Sequence, residues 1–210
     1  MKETGVDPKP CAIAIFAKAP LEGFAKTRLI PRLGAAGAAE LQQRLVIRAV
    51  ETAIAAALGP VSLWCAPDCS HRFFHEIAKE HSLVLHAQTG KDLGARMQNA
   101  FAQLTTAMPV LLMGSDCVVL EAELLKECAQ ALQDGEDAVF LPVEAGGYIL
   151  VRLRAPVPEL FRDMPWTTQR VMQETRRRAA ALGLKIAEPK LLWDIDTPED
   201  YERAVKCGAL

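Results

Sequence analysis

The sequence predicts an α/β protein built on a largely parallel sheet. Short apolar runs of strand length alternate with segments of ten or more residues that carry apolar side chains at helical spacing. Some of these runs, such as Val110 to Met113, show no polar alternation, which is typical of parallel strands buried on both faces. Repeated βαβ units follow from this pattern, and such units bind their ligands beyond the carboxyl ends of the strands.

The elements of the first half begin with an apolar run that leads into a basic loop. The helix that follows ends at Gly59 and Pro60, which form a stop signal. Ser70 is the predicted cap of the second helix. In order, we predict a strand at Cys11 to Phe16, a helix at Ala35 to Leu58, a strand at Val61 to Cys65, a helix through Phe73, Phe74 and Ile77, a strand at Leu83 to Ala87 and a helix at Ala95 to Ala107.

The second half repeats the alternation and ends in an acidic segment. Thr197 followed by Pro198 marks the start of the closing helix. Arg176, Arg177 and Arg178 form a charge run on a helix, which is usually a solvated face. In order, we predict the strand at Val110 to Met113, a helix at Glu121 to Gln133, strands at Ala138 to Val143 and Tyr148 to Arg152 joined by a turn at Glu144 to Gly147, a helix at Thr168 to Leu182, a strand at Leu184 to Ala187 and the closing helix.

The composition is typical of a globular chain that binds small molecules. Half of the 210 residues are hydrophobic, and a chain of this size buries about 70% of its unfolded surface. We predict one domain over residues 1–210, with residues 1–10 flexible. The net charge is −2 with acids and bases interspersed, which argues against a nucleic-acid or membrane partner. The first residues do not resemble a signal peptide, so we expect a cytoplasmic protein, and no pattern specifies its oligomeric state.

The cysteines do not indicate a disulfide scaffold. There are six, and none forms a CxxC pair. Cys65, Cys69, His71 and His75 fall within eleven residues, but a structural zinc site normally separates its two ligand pairs by about a dozen residues. We expect reduced thiols, with Cys65 buried and the histidines on the surface. A thiol or metal redox function based on Cys65 and Cys69 is a much weaker alternative.

A basic loop follows the first predicted strand, in the stretch FAKAPLEGFAKTRL at residues 16–29. The glycines that the well-known phosphate loop requires are replaced here by Pro20 and Ala25, so that motif is excluded. A phosphate site made of loop amides and cations remains the favoured interpretation, against a merely solvated basic loop. The residues that would form it are Gly23 and the three cations Lys18, Lys26 and Arg28.

Two later clusters supply carboxylates. Asp116 in GSDC directly follows the most apolar predicted strand, where it could bridge a divalent cation to a diphosphate or merely cap the next helix. Asp194 and Asp196 in WDIDTPED alternate as on an extended segment and so face the same side. Glu199 and Asp200 lie in the first turn of a helix, whose dipole favours acids. Asp116 could therefore form a two-carboxylate metal site with Asp196 or, less favourably, with Asp194.

The order of these motifs resembles that of the small bacterial GT-A-like nucleotide-diphospho-sugar transferases, a group often described as transferases associated with radical SAM proteins. The sequence is more remotely similar to the molybdenum-cofactor and phospholactate guanylyltransferases. Each motif alone is weak, but together they cover nearly the whole chain in the family's order. They are IFAKAPLEGFAKTRLIPRLG, QTGKDLGARMQNAF, LLMGSDC, GGYILVRL, FRDMPWTTQRVMQET and DIDTPED.

The resemblance implies a GT-A fold, which is a three-layer α/β sandwich with a mostly parallel sheet, and assigns roles to residues. The first loop would bind nucleotide phosphates through Ala17, Lys18, Gly23, Lys26 and Arg28. The nucleobase would be bordered by Gln88, Asp92, Leu93 and Gly94, with Arg96 holding that loop. Asp116 would bind Mg²⁺ or Mn²⁺ together with Asp196 and Asp194. The acceptor side would contain Gly146, Gly147, Tyr148 and Trp166.

Two departures from the family pattern bear on activity. The family usually has aspartate before GGY, where this chain has Ala145 beside Glu144, and proline after GSDC, where this chain has Val118. The resemblance implies Lys26 and Asp116 as catalytic residues, and Glu144 could replace the missing aspartate. We expect glycosyl transfer from a nucleotide sugar to a small acceptor. Nucleotidyl transfer from a nucleoside triphosphate and a nucleotide-binding protein without activity are the alternatives.

Overall fold

The structure, a computed structural model, describes residues 10–104, 108–166 and 168–210. In these ranges the chain forms a sheet with seven strands, β1 (Ala12–Lys18), β2 (Val61–Ala66), β3 (Val84–Ala87), β4 (Val110–Gly114), β5 (Ala138–Pro142), β6 (Tyr148–Leu153) and β7 (Ile186–Ala187). Their order is β3-β2-β1-β4-β6-β5-β7. β6 is antiparallel to both neighbours, and the other pairs of strands are parallel.

Helices cover both faces of the sheet, so the fold has three layers. The described helices are α1 (Ile30–Ala55), α2 (Arg72–His81), α3 (Leu93–Leu104), α4 (Ala122–Ala131), α5 (Val171–Ala181) and α6 (Pro198–Lys206), with 3₁₀ turns at Thr27–Leu29 and Pro158–Leu160. Val50, Phe74 and Leu125 pack α1, α2 and α4 on one face. Phe101 and Met172 pack α3 and α5 on the other. The predicted three-layer α/β sandwich with a mostly parallel sheet is confirmed.

A smaller apolar cluster attaches α6 to α1 and to the loop after β4. Leu45 of α1 and Val118 of that loop pack with Trp193 and Ile195, which precede α6. The Ile195 N–H donates to the carbonyl of Asp116 at 3.0 Å. The acidic segment before α6 therefore lies beside the loop after β4. None of the helices in the described ranges is long and apolar enough to cross a membrane.

The predicted strands and helices all occur, with shifted boundaries and one wrong cap. The side chain of His71, and not Ser70, caps α2 by accepting the Phe73 N–H at 3.2 Å. α1 begins at Ile30, earlier than predicted, and includes a break at Gly34, whose φ is 72°. The predicted helix end at Ala107 and nearly all of the segment predicted to be flexible, residues 1–9, lie outside the described residues.

The arginine run on α5 is exposed at Arg176 and Arg177, as predicted for a solvated face, but not at Arg178. Arg176 bonds to Glu188, and Arg177 and Arg178 both bond to Glu174. The side chain of Arg178 is largely buried. It also donates to three backbone carbonyls of the segment between β6 and α5, those of Glu159, Arg162 and Asp163. This segment, residues 158–166, is called the strap below; the arginine ties it to α5.

One buried cation was not predicted at all. Arg152 is the next-to-last residue of β6 and is almost fully buried. Its guanidinium donates to the carbonyls of Cys128 and Ala129 near the end of α4. These carbonyls carry the negative end of the helix dipole, so they offset part of the cost of burying the charge. Burial still lowers the pKa of Arg152.

Candidate active site

The basic loop leaves the carboxyl end of β1 and is closed by its own backbone. The Ala25 N–H donates to the Leu21 carbonyl. The Ala19 N–H donates to the carbonyl of Ala66 at the end of β2. Gly23 has a φ of 74°, in the left-handed region that favours glycine. Lys26 also has a positive φ, 49°, immediately before the 3₁₀ turn that leads into α1. A lysine there costs backbone strain, which makes the contacts of its side chain informative.

Lys26 was predicted to be a surface cation that binds phosphate, but the structure places it in the interior. Its side chain is only 4% exposed, and its Nζ lies 2.9 Å from Asp116 Oδ1. The same Nζ donates to the carbonyl of Ile195 at 2.6 Å. The ammonium thus joins the basic loop, the loop after β4 and the segment before α6. In this arrangement it neutralises Asp116, whereas Lys18 and Arg28 are exposed and Arg28 pairs with Asp196.

A buried polar chain supports Asp116 from behind. Gln42 of α1 donates to the carbonyl of Lys18 at 3.3 Å and to Ser115 Oγ at 3.5 Å. Ser115 Oγ in turn donates to Asp116 Oδ1 at 3.2 Å. Gln42 and Ser115 are both buried. The ends of β1 and β4 are therefore connected through side chains as well as through the sheet.

The other two predicted ligands lie on the segment before α6. Burial, and after it the nearby Asp116 carboxylate, raise the pKa of Asp194, which is about 6 once the opposing effect of Lys26 is included. Asp196 pairs with Arg28 of the basic loop. Asp200 fixes this segment, because its Oδ2 accepts the N–H groups of Asp196 (3.1 Å) and Thr197 (2.8 Å). The predicted helix start at Thr197 is confirmed, as a capping box.

These carboxylates fit a hard divalent cation in chemistry. Asp116 is 44% exposed, so one face of its carboxylate remains open despite Lys26. Asp116 also lies close enough to Asp194 to disfavour its charged form. Among the described residues, no three His, Cys, Asp or Glu side chains are grouped so that they could hold a metal ion by themselves. Mg²⁺ in proteins characteristically takes one or two carboxylates together with substrate phosphates.

The residues predicted to border the base lie at the carboxyl end of β3 and the start of α3. The Gln88 side chain bonds across the ends of β2 and β1 to the carbonyls of Trp64 (2.9 Å) and Ala17 (3.4 Å). Asp92 caps α3, since its Oδ1 accepts the Ala95 N–H at 2.8 Å. Arg96 Nε donates to the Gly90 carbonyl at 3.3 Å, so it does contact the preceding loop. Leu93 is exposed.

The predicted acceptor side is packed against that loop. A Cβ on Gly94 would lie 2.8 Å from the Trp166 ring, and one on Gly146 would overlap the carbonyl oxygen of Gln169. The rings of Trp166 and Tyr148 meet edge to face, with centroids 6.3 Å apart. The Tyr148 hydroxyl and the Trp166 indole N–H are buried, and no described group is their hydrogen-bond partner. Gly147 stands between Gly146 and Tyr148 in the turn that leads into β6.

Glu144 is engaged elsewhere, so the expectation that it acts as a catalytic base is not supported by this geometry. Its two carboxylate oxygens accept from Arg203 of α6 at 2.7 and 3.1 Å. Those hydrogen bonds lower the pKa of Glu144, which makes it a weaker base. Arg203 also stacks on Trp193, with its guanidinium 4.4 Å from the ring centroid. Ala145, at the position of the family aspartate, is exposed.

The structure thus places two groups of predicted site residues at one edge of the sheet, and they are called the donor half and the acceptor half of the candidate site. The donor half contains the basic loop, Asp116, Asp194 and Asp196, and the acceptor half contains residues 146–148 with the strap. Sequence reasoning missed Gln42 and Arg203, whose partners are distant in sequence, and Ser115, which bonds to Gln42 and to the adjacent Asp116. A cavity of about 290 Å³ lies beside Asp92, lined by Lys91, Asp92, Ala95, Gln98, Phe161, Arg162 and Asp163. A larger depression of about 550 Å³ lies along α6, lined by Glu199, Glu202, Arg203, Lys206 and Cys207.

Known structures share this fold. A protein of Desulfovibrio desulfuricans G20, described as a "putative nucleotide-diphospho-sugar transferase", is 27% identical with a TM-score of 0.81, over 90% of this chain and 83% of that chain. A CMP:2-keto-3-deoxy-manno-octonic acid synthetase complexed with CTP is 12% identical with a TM-score of 0.61, over 96% and 100% of the two chains. Glucosyl-3-phosphoglycerate synthase from Mycobacterium tuberculosis, in complex with Mn²⁺ and UDP, is 10% identical with a TM-score of 0.58, over 96% and 77%.

The last two likenesses concern the fold alone, because their identities are low. No curated protein matches the sequence significantly. The fold is that of nucleotide-using transferases, and the candidate site lies at the edge where such α/β sheets bind ligands. A model of the DUF2064 family, described as uncharacterized proteins conserved in bacteria, matches residues 49–168. This match spans more than half of the chain, and the chain therefore belongs to the DUF2064 family.

Proposed function

We propose that this protein is a Mg²⁺- or Mn²⁺-dependent transferase that moves a glycosyl group from a nucleotide-diphospho-sugar to a small acceptor. The observation that carries the proposal is the meeting of the basic loop with Asp116, Asp194 and Asp196 at the carboxyl edge of β1 and β4. Cations and carboxylates side by side suit a metal-bound diphosphate, because each satisfies a different part of its charge. The 27% identity to the Desulfovibrio protein supports the same class of donor.

In this proposal the cations of the donor half have two different roles. Lys18 and Arg28 are exposed and would contact the donor phosphates. Lys26 holds Asp116 and the Ile195 carbonyl in place, and so positions the carboxylate before the donor arrives. Gly23 lets the loop backbone approach the phosphates closely.

Asp116, Asp194 and Asp196 would hold the metal ion together with donor phosphate oxygens. When bound, the ion would neutralise the negative charge that develops on the leaving diphosphate. Arg28 would be drawn from Asp196 to the donor as the charges rearrange. The acceptor would approach from residues 146–148, where the chain contributes no aspartate at position 145.

Product analysis with donor substrates tests the proposal. The purified protein is incubated with nucleotide sugars or nucleoside triphosphates, Mn²⁺ and a panel of small hydroxyl acceptors, and nucleoside diphosphate and pyrophosphate are measured. We expect release of nucleoside diphosphate that EDTA abolishes and that Asp116→Asn lowers at least about 100-fold. Pyrophosphate as the product would instead establish nucleotidyl transfer. If neither EDTA nor Asp116→Asn lowers the rate of turnover, the mechanism is refuted.

A nucleotide-binding protein without turnover is the second candidate, and the acceptor half favours it. Ala145 lacks a carboxylate and Glu144 is held by Arg203, so neither offers an obvious base to an acceptor hydroxyl. This candidate predicts that a nucleotide sugar raises the melting temperature while no acceptor gives product. Ala145→Asp should then restore product formation, whereas measurable turnover by the unmodified protein would exclude it.

A further inference from the structure

We propose that Lys26 keeps free divalent cations from binding to Asp116, so that the metal ion of the site binds tightly only together with a donor diphosphate. This inference rests on the proposed function and adds a rule of binding to it, because the chain then takes up metal and nucleotide jointly. Neither the family match nor the similar structures assign such a role to a residue of this chain.

The first step is that the Lys26 ammonium cannot easily leave its place. Its side chain is only 4% exposed, and its Nζ contacts Asp116 Oδ1 at 2.9 Å and the Ile195 carbonyl at 2.6 Å. The backbone is held as well, because the Lys26 carbonyl accepts the Leu29 N–H at 2.8 Å in the 3₁₀ turn before α1. A cation that displaced the ammonium would leave it buried and unpaired, which is strongly unfavourable. An incoming metal ion must therefore bind beside the ammonium.

The second step is the oxygen of Asp116 that remains for a ligand. Its Oδ1 accepts from Lys26 Nζ at 2.9 Å and from Ser115 Oγ at 3.2 Å. Oδ2 receives neither bond, and the side chain is 44% exposed, so Oδ2 is the accessible oxygen. A cation on Oδ2 shares its carboxylate with the ammonium. Two positive charges on one carboxylate lie closer than about 8 Å, the distance over which physiological salt screens charges, so they repel each other.

The third step is that the other carboxylates of the donor half do not remove this repulsion. Asp196 pairs with Arg28, and the charge of Lys26 acts on Asp194 as well as on Asp116. The three carboxylates are thus matched by the three cations of the basic loop. Within the part of the chain that the structure describes, no three acidic, His or Cys side chains are grouped so that they could hold a metal ion by themselves. A free divalent cation therefore finds neither enough ligands nor enough negative charge.

A donor diphosphate supplies both of the things that the site lacks. Its phosphate oxygens bring negative charge and metal ligands together, as is typical of Mg²⁺ sites in proteins. They also offer a partner to the exposed cations Lys18 and Arg28, so that Arg28 can release Asp196. Metal and nucleotide then each raise the affinity of the protein for the other, by the same factor. Lys26 increases this factor, because it lowers the affinity for the metal alone.

Titration with Mn²⁺ in the absence of nucleotide tests the role of Lys26 without reference to activity. MnCl₂ is added to the full chain at neutral pH, and free Mn²⁺ is measured by electron paramagnetic resonance. We expect Lys26→Met to bind Mn²⁺ at least about tenfold more tightly than the unmodified protein. Lys18→Met is the matched control, because it removes the same charge from the same loop, and Lys18 is exposed and forms no ion pair with a described residue. Its affinity for Mn²⁺ should stay within about threefold of the unmodified protein.

Two results of this titration would overturn the inference. One is equal or weaker Mn²⁺ binding by folded Lys26→Met, which is the result expected if Lys26 only positions Asp116. The other is an equal gain in Lys18→Met, since the effect would then belong to the overall charge of the loop. Lys26→Gln is the second variant if Lys26→Met does not fold. Its amide can still donate a hydrogen bond but carries no charge, and the same gain of about tenfold is expected.

Joint binding can be tested on the unmodified protein alone. GDP, CDP, ADP and UDP are each titrated calorimetrically into the full chain, once with MnCl₂ and once with EDTA. Bound Mn²⁺ is then measured by equilibrium dialysis with and without the nucleotide that binds most tightly, at equal concentrations of free Mn²⁺. We expect this nucleotide to raise the affinity for Mn²⁺ at least about tenfold, and Mn²⁺ to raise the affinity for the nucleotide by the same factor. Mn²⁺ that binds as tightly without nucleotide as with it would overturn the inference.

Two further outcomes separate this inference from its premise. Failure of all four nucleoside diphosphates to bind, with or without metal, would defeat the proposed function and the joint binding with it. The titration without nucleotide would still decide whether Lys26 repels a metal ion from Asp116. Conversely, tight binding of free Mn²⁺ together with normal binding of a nucleotide would leave the proposed function standing and remove only the role of Lys26.

Discussion

In the donor half of the site, charged side chains hold the segments of the chain together. In the acceptor half, close packing does so. In the donor half, one buried ammonium connects three segments that are far apart in sequence, through Asp116 and the Ile195 carbonyl. In the acceptor half, Gly146 and Gly94 allow backbone and indole to touch, and two polar atoms stay without a partner among the described residues. Charge pairs can exchange partners when an ion arrives, but close packing cannot loosen without losing contacts. We therefore expect the two halves to respond differently to the same kinds of change.

The largest effect is expected from Gly146→Ala, which attacks the packing of the acceptor half. The new Cβ would overlap the Gln169 carbonyl, at a backbone φ of 85°. Unfolding free energy should fall by at least about 3 kcal/mol, measured by urea denaturation. Gly23→Ala is the matched control, because its φ of 74° is similar but no atom lies within 4 Å of the new Cβ. That variant should lose only about 1 kcal/mol, and equal losses would contradict the contrast.

Lys26→Met should lower the unfolding free energy by less than Gly146→Ala does. A bound metal ion should restore part of the lost stability. Removing the ammonium leaves Asp116 beside Asp194 without its counter-charge. Because Asp116 is partly exposed, we expect a loss of about 1–3 kcal/mol, less than for a fully buried pair. Mn²⁺ should raise the melting temperature of Lys26→Met more than that of the unmodified protein. A smaller metal response in the variant would show that Lys26 does not substitute for a cation there.

Arg28→Met is the control for this experiment. Arg28 pairs with Asp196, but its side chain is 68% exposed. An exposed ion pair contributes about 0–1 kcal/mol. The control should therefore change the melting temperature little, although the proposed function expects it to weaken donor binding.

Glu144→Gln should change turnover by no more than about threefold. The carboxylate is held by Arg203, whose hydrogen bonds lower its pKa, and neither property suits a base at neutral pH. Arg203→Leu frees Glu144 and completes the comparison. Steady-state rates of both variants measure this, and a fall of about 100-fold for Glu144→Gln would return it to the catalytic residues.

The smallest effect concerns Glu174, which pairs with the arginine that ties the strap to α5, and this effect is lost in acid. Hydrogen bonds from Arg177 and Arg178 lower the pKa of Glu174 to about 2, from an ordinary value of 4.5. A lowered pKa stabilises the fold above the unfolded value and loses that contribution as the pH falls toward the folded value. The difference in melting temperature between the unmodified protein and Glu174→Gln should therefore shrink between about pH 5 and pH 2. A difference that stays constant over this range would contradict the assignment.

The sequence predicted the fold well because its signals are local. Apolar runs such as Val110 to Met113 identify buried strands, and Thr197 with Pro198 and Asp200 marks a helix start within four residues. The position of Asp116 at the end of β4 follows from the same logic.

The pairing of charges was not predictable, because each partner comes from a distant part of the chain. Lys26 looks like any loop cation until the Ile195 carbonyl, 169 positions away, is placed beside it. Glu144 looks like a free carboxylate until Arg203 of α6 is in place. Arg152 lies in an apolar strand and gives no sequence sign that the end of α4 will accept its guanidinium. Periodicity identifies the layers, and tertiary contacts decide which charges remain available.

The position of Trp166 makes its intrinsic fluorescence a probe of ligand binding. Its indole lies against Gly94 in the first turn of α3 and against Tyr148 at the start of β6, so it contacts both the segment predicted to border the base and the acceptor half. The chain has three tryptophans; Trp64 is fully buried in the sheet and Trp193 is covered by Arg203. With both of these replaced by phenylalanine, the emission of Trp166 alone would report the polarity around its indole N–H. A ligand that enters the candidate site could then be followed by a change in fluorescence, without a label and on the timescale of its arrival.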